Sequence, residues 1–199
     1  MRGAIILAGG SSRRLGRPKP LAPFRGRPMV AYVVDAARAA ADEVVVVSRG
    51  ALAARLERVL SPEVRVLRDG SRVQSPIVGL ATGARSVRAP YVAALACDLP
   101  LLRPEILVRL FSCAAGRDAA IPRWPNHQIE PLVAVYRRRA LLAAARVAVR
   151  ARTLANTDMI NRLRDVRYVS MQTLRREDPG LRSFTNVNTP EDLSRAERL

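Results

Sequence analysis

The sequence predicts an α/β protein: a Rossmann-like, doubly wound, mostly parallel sheet in a single domain. Three observations carry that expectation. Short apolar, β-branched runs alternate with segments of helical periodicity over about the first 110 residues. The chain has 199 residues, 49% of them hydrophobic, enough for one proper core. The runs at 4–8, 64–67 and 91–96 also lead into Gly9, Asp69 and Asp98, at the edge where such sheets bind ligands.

The elements follow in order. Residues 4–8, an apolar run closed by Gly9 and Gly10, read as a buried parallel strand. Residues 28–41, rich in Ala and Val, read as the first crossover helix with Pro28 near its first turn. Residues 43–47 are a β-branched second strand, and residues 51–60 a helix stopped by Pro62. Residues 64–67 form the third strand, followed by the turn dipeptide Asp69-Gly70. A helix over 76–87 starts after Ser75. Residues 91–96 are the fourth strand, ending in Cys97-Asp98-Leu99-Pro100, and 104–114 a further helix. With right-handed crossovers and an order beginning 3-2-1-4, the first and fourth strands are neighbours at the switch point. Gly9 and Gly10 then lie beside Asp98, with Asp69 on the same rim.

The second half is less regular. Residues 119–122 and 132–136 read as strands, with the polar stretch 123–130 as a loop over the site. Helices are expected over 137–149 and 155–163, a strand over 166–169 and a last short strand over 183–185. Thr189-Pro190-Glu191-Asp192 is a helix start: Thr as N-cap, Pro in the first position, acids in the first turn.

Composition excludes several classes. Cys97 and Cys113 are too few for a disulfide framework, and no apolar run approaches the ~20 residues of a membrane span. The N-terminus runs straight into a strand, so no signal peptide is expected, and the expected compartment is cytoplasmic. The formal charge is +17, yet the Arg residues are spread evenly, with no basic tail and only 4% aromatics for stacking on bases. That argues against specific nucleic-acid binding and for attraction of small polyanionic substrates. Of 34 Lys plus Arg, one is Lys: Lys19. A compact point charge and a planar fork differ in how they meet a phosphate.

Lys19 falls in the stretch that organises the chain. Gly9, Gly10 and Gly16 permit positive φ and close backbone approach, and successive N–H groups in such a loop cradle anions. Arg13, Arg14, Arg17 and Lys19 add positive charge, so the loop reads as a phosphate site. It fits neither G-x-x-x-x-G-K-[ST] nor G-x-G-x-x-G. At the other side of the switch point, Asp98 is placed to hold Mg²⁺ against nucleotide phosphates, or else to form a turn or cap. Asp69 reads equally as a turn former or a contact to base or ribose. Asn186 and Asn188 flank Val187 and face one way in an extended segment, to bind a polar ligand or to cap the last helix. His127 is the one His and lacks a Ser or Cys partner, which argues against a hydrolytic triad. Trp124 closes over a substrate or packs, residues 137–139 read as a solvated helix face, and Cys97 as buried and inert.

Leu7, Ala8, Gly9, Gly10, Ser12, Arg14, Gly16 and Lys19 match L-A-G-G-x-S-x-R-x-G-x-x-K position by position. This resembles the signature of nucleotidyltransferases with a nucleotide-diphospho-sugar transferase fold. With Asp69, Ser75 to Gly79, Cys97 to Pro100, Glu130 to Tyr136 and Asn186 to Pro190, the chain resembles the molybdenum cofactor guanylyltransferases, which make molybdopterin guanine dinucleotide. The resemblance implies GTP and molybdopterin or Mo-molybdopterin as substrates and Mg²⁺ as cofactor, with no membrane partner. It implies GTP contacts at Leu7, Ala8, Gly9, Gly10, Lys19, Asp69 and Asp98. Arg14, Lys19 and Asp98 are then catalytic, Asp98 is the metal ligand, and Asn186 and Asn188 hold the pterin. Residues 1–114 become a nucleotide-binding half and 115–199 an acceptor-binding half. Two positions depart from the family pattern: Ser75 stands where a Gly is usual, and Ser48-Arg49 where an Asn often contacts the nucleotide. CTP-dependent relatives share the first loop, whereas Asn186-Val-Asn-Thr-Pro190 and Pro131-Leu-x-Ala favour GTP. A CTP or sugar-phosphate nucleotidyltransferase, or a non-catalytic nucleotide- or nucleic-acid-binding protein, are the alternatives.

Overall fold

The computed structural model describes residues 1–9, 15–71 and 73–199. In chain order the elements are β1 (Arg2–Leu7), β2 (Pro23–Phe24), β3 (Arg27–Pro28), α1 (Met29–Ala40), β4 (Glu43–Ser48), α2 (Gly50–Val59), β5 (Arg65–Arg68), α3 (Pro76–Ser86), β6 (Tyr91–Ala96), α4 (Pro104–Ala114), β7 (Ala119–Arg123), β8 (Val133–Arg137), α5 (Arg138–Arg150), α6 (Asn156–Ile160), β9 (Val166–Ser170), α7 (Met171–Leu174) and α8 (Pro190–Glu197). Short 3-10 turns lie at Lys19–Leu21 and Arg182–Phe184.

Seven strands form one sheet in the order β5-β4-β1-β6-β8-β7-β9. The first four positions are the expected 3-2-1-4 arrangement, all parallel. β8 is antiparallel to both β6 and β7, and β9 returns parallel to β7. Successive β1 residues face opposite sides, as the strand period of two requires. Ile6 packs with Val33, Ile106 and Leu110 of α1 and α4, whereas Ile5 packs with Ile77, Leu80 and Leu141 of α3 and α5. Helices on both faces of a parallel sheet bury the four central residues of β1, which explains its unbroken apolar run. Ser75 caps α3 through its Oγ and the Ile77 N–H, and Thr189 with Asp192 forms a reciprocal capping box on α8, as the sequence suggested.

The structure departs from expectation in four places. Residues 183–185 form no strand. They lie in and just after the 3-10 turn Arg182–Phe184, entered through Leu181 at φ 50°. The Ser183 N–H donates to Asp178 Oδ2 at 2.8 Å and its Oγ accepts from the Arg103 N–H, so these groups are satisfied locally rather than by a strand partner. The helix expected over 155–163 is the five-residue α6. Arg137 ends β8 with its guanidinium over the Tyr91 ring, so the run 137–139 is not one solvated face. The hairpin of β2 and β3 was not foreseen; Arg25 and Gly26, at φ 43° and 79°, make its two-residue turn.

Two glycines of α3 set its distance from the sheet. A Cβ at Gly79 would lie 2.9 Å from Leu7 Cδ2. One at Gly83 would overlap Ile5 Cγ2 and lie 3.2 Å from Val47 Cγ2. Ile5 is β-branched and fixed in the central strand, so it cannot turn aside cheaply. Gly83→Ala is therefore expected to lower stability by about 1–3 kcal/mol through overpacking, despite alanine's better helix propensity. A thermal melt checks this; an unchanged or raised Tm would contradict the packing account.

Candidate active site

The cleft opens where β1, β4, β5 and β6 end, on both sides of the switch point. Its volume is about 400 Å³, and its walls include Leu7, Gly9, Lys19, Arg49, Asp69, Ser75, Gly79, Cys97, Asp98 and Leu132. The backbone holds the rim together. The Ala8 N–H donates to Val47 O at 2.8 Å, the Asp69 N–H to Ser48 O at 2.8 Å, and the Cys97 N–H to Leu7 O at 3.3 Å. Ser48 is buried and its Oγ donates to Ala8 O at 2.9 Å, tying the end of β1 to β4.

The centre of the site is Asp98. Lys19 Nζ donates to Asp98 Oδ2 at 2.9 Å and also to Asn188 Oδ1. The Val187 N–H donates to the Asp98 carbonyl at 2.9 Å. Lys19 reaches this point from the 3-10 turn after the Gly-rich loop, Asp98 from the end of β6, and Asn188 from just before the capped start of α8. The side chains of Lys19 and Asp98 are only 22% and 13% exposed. A half-sheltered ion pair returns little net stability after desolvation, so its placement in a cleft points to chemistry. Asp98 Oδ1 is buried and has no hydrogen-bond partner among the described residues.

The structure brings most of the expected residues together. Leu7, Gly9, Lys19, Asp69 and Asp98 line one cleft, and Ala8 is buried behind it. Asn188 joins Lys19, whereas Asn186 is exposed with no hydrogen bond from its side chain among the described residues. Gly10, Ser12, Arg13 and Arg14 lie outside the described residues. Gly16 has φ 63°, while Gly9 is not among the glycines of positive φ. Asp69 forms the turn: Oδ1 accepts from the Ser71 N–H at 3.0 Å, and the residue also lines the cleft. Trp124 packs edge-on against Phe184, and its indole N–H donates to Glu130 Oε1 at 2.7 Å. Burial raises the Glu130 pKa and that hydrogen bond partly offsets it. His127 is an exposed turn residue at φ 67°.

Arg49 was not among the candidate residues. Its signal was its position, directly after the second strand at the ligand-binding edge. It lines the cleft and donates to Ser71 O and, at 3.4 Å, to Val73 O. Among the described residues no group of three or more His, Cys, Asp or Glu side chains is arranged to hold a metal, and no helix is long and apolar enough to cross a membrane.

Comparison with known proteins places this geometry in a family context. Residues 4–166 match the MobA-like NTP transferase domain. A probable molybdenum cofactor guanylyltransferase from Natronomonas pharaonis is 40% identical, with 100% of this chain and 98% of that protein covered. One from Methanosarcina acetivorans is 35% identical, covering 96% and 88%. The crystal structure of molybdopterin-guanine dinucleotide biosynthesis protein A from Archaeoglobus fulgidus superposes with a TM-score of 0.84 at 30% identity, covering 100% of this chain and 97% of that one.

Cys97 gives the site a pH signature. Burial, then the neighbouring Asp98 charge, pushes its thiol up to about 12 against an ordinary 9.0. Between those values the unfolded chain has lost the proton and the folded one keeps it. Stability is therefore unaffected below pH 9 and falls as pH rises above it, by up to about 1.4 kcal/mol per pH unit. Denaturation midpoints from pH 8 to 10 should show this slope, and Cys97→Ala should reduce it; an equal slope in the variant would contradict the assignment.

Proposed function

Since the chain belongs to the MobA-like NTP transferase domain family, we propose that it is a molybdenum cofactor guanylyltransferase, moving GMP from GTP to the phosphate of molybdopterin or Mo-molybdopterin. One observation carries the reading: Lys19, Asp98 and Asn188 meet at the mouth of a nucleotide-sized cleft, at the switch point of the sheet. The relatives in Natronomonas pharaonis and Methanosarcina acetivorans, similar along almost the whole chain, support it.

The chemistry follows from charge. A phosphate oxygen of the pterin attacks the α-phosphorus of GTP. The new P–O bond forms as the bond to the β-phosphate oxygen breaks, and pyrophosphate leaves with the electron pair. The nucleophile is already an anion, so no general base is required, and catalysis is positioning plus electrostatics. Lys19, Arg14 and the backbone N–H groups of Gly9 and Gly10 neutralise the triphosphate, with Leu7 and Ala8 at its edge. Asp69 takes the base or ribose, and Asn186 and Asn188 hold the pterin. Residues 1–114 then serve the nucleotide and 115–199 the acceptor.

A divalent cation fits Asp98. Its Oδ1 is a buried carboxylate oxygen with no donor among the described residues, and one carboxylate is what Mg²⁺ uses when substrate phosphates complete its shell. Bound there, Mg²⁺ supplies Lewis-acid neutralisation of the phosphate oxygens.

The test follows the phosphorus. With GTP labelled at the α-position the label is expected in the dinucleotide, and with the γ-label in pyrophosphate. Lys19→Ala and Asp98→Ala are each expected to cut kcat by about 10³-fold or more, with far-UV circular dichroism unchanged. Near-normal kcat in both variants would sink the assignment.

A further inference from the structure

We infer that Arg49 reads the O6 and N7 edge of the guanine base, making it the specificity residue for GTP in this chain; the inference rests on the guanylyl reading above. Arg49 follows β4 in an extended conformation, φ −130° and ψ 149°, before α2 begins. Its stem runs past the start of the Gly-rich loop: a Cβ on Gly9 would lie 4.0 Å from Arg49 Cγ. Beyond that point, Nη2 donates to the Ser71 carbonyl and Nη1 to the Val73 carbonyl at 3.4 Å. The guanidinium is thus held on the segment after β5.

Two features separate this arginine from a structural ion pair. It faces no carboxylate within salt-bridge distance among the described residues, and it lines the cleft. A guanidinium carries five N–H donors and no acceptor. Arg49 uses two of its N–H groups on backbone carbonyls, which fix the fork in advance of binding. The remaining donors suit two adjacent acceptors. Guanine offers O6 and N7 side by side, whereas adenine sets an amino donor beside N7, so a fixed arginine fork selects guanine. Asp69 completes the wall. Its Oδ1 accepts from the Ser71 N–H, so a donor fork and a carboxylate grip the same residue. Guanine carries both acceptors and N–H donors, the match for such a wall.

The test compares GTP with 7-deaza-GTP, which lacks only the N7 acceptor, in the wild type and in Arg49→Ala and Arg49→Lys. The readouts are Kd for each nucleotide with Mg²⁺ and kcat/KM with molybdopterin. The wild type is expected to bind 7-deaza-GTP about 3–10-fold more weakly than GTP. Arg49→Ala should lose about 10–100-fold with GTP and bind both nucleotides alike. That ratio is independent of how much of the variant folds. Arg49→Lys, which keeps the charge without the fork, should also fail to discriminate. A wild-type ratio retained in Arg49→Ala would overturn the inference and leave Arg49 as a strap on residues 71–73. Full rescue of GTP binding by Arg49→Lys would likewise overturn it, in favour of a phosphate contact. Wild-type turnover of CTP without GTP would overturn the inference together with the guanylyl reading, which separates the two failures.

Discussion

The site depends on one ion pair, Lys19 with Asp98, and that pair depends on the sheet. The two residues are 79 positions apart, and Asn188, which shares the lysine, is 169 positions from it. Local sequence cannot bring them together. Parallel pairing of β1 with β6 does so, running in register from Arg2 with Tyr91 to Leu7 with Ala96. Each strand then ends at the same level, one delivering the Gly-rich loop and the other Asp98. The bond from the Val187 N–H to the Asp98 carbonyl adds the C-terminal segment to this point. A sheltered charge pair is a poor source of stability. The energy that fixes it comes from the apolar faces of β1, with Ile5 and Ile6 buried on opposite sides.

The charge distribution has a matching logic. A chain of +17 attracts polyanions over its whole surface, which raises encounter rates without conferring selectivity. The cleft itself is lined by two kinds of cation. Lys19 is the one lysine, a compact charge on a flexible stem able to follow a phosphate. Arg49 is a planar fork fixed by carbonyls. The thiol of Cys97, kept neutral by burial, adds no competing negative charge beside Asp98.

Much of the first half was legible in the sequence because its elements are long, periodic and punctuated. β6 and α4 begin and end where the pattern places them, and Ser75 and Thr189 cap the helices they precede. The parallel core follows from alternation alone. What was not legible lies where tertiary contacts outweigh local pattern. Ser183 and Phe184 look strand-like, yet Asp178 and Arg103 satisfy Ser183 in a tight turn. The hairpin of β2 and β3 has two residues per strand, too short for any period to register. Within the site, the loop and Asp98 announced themselves by motif. Asn188 could be placed near a ligand but not on Lys19, and Asn186, its partner in the pattern, points to no described partner. Ser48-Arg49 stood out as a departure at a position where the family contacts the nucleotide, but a lone arginine among so many carried no signal of its own side chain's role.

The central claim is that this cleft transfers GMP to a pterin phosphate, and base preference in turnover tests it most directly. Pyrophosphate release would be measured with Mg²⁺ and molybdopterin, offering GTP, CTP, ATP and UTP one at a time. Release with GTP alone is the predicted result. Release with CTP alone would contradict the base assignment while leaving the fold and the chemistry at Asp98 in place, and silence with all four would contradict the assignment of the acceptor.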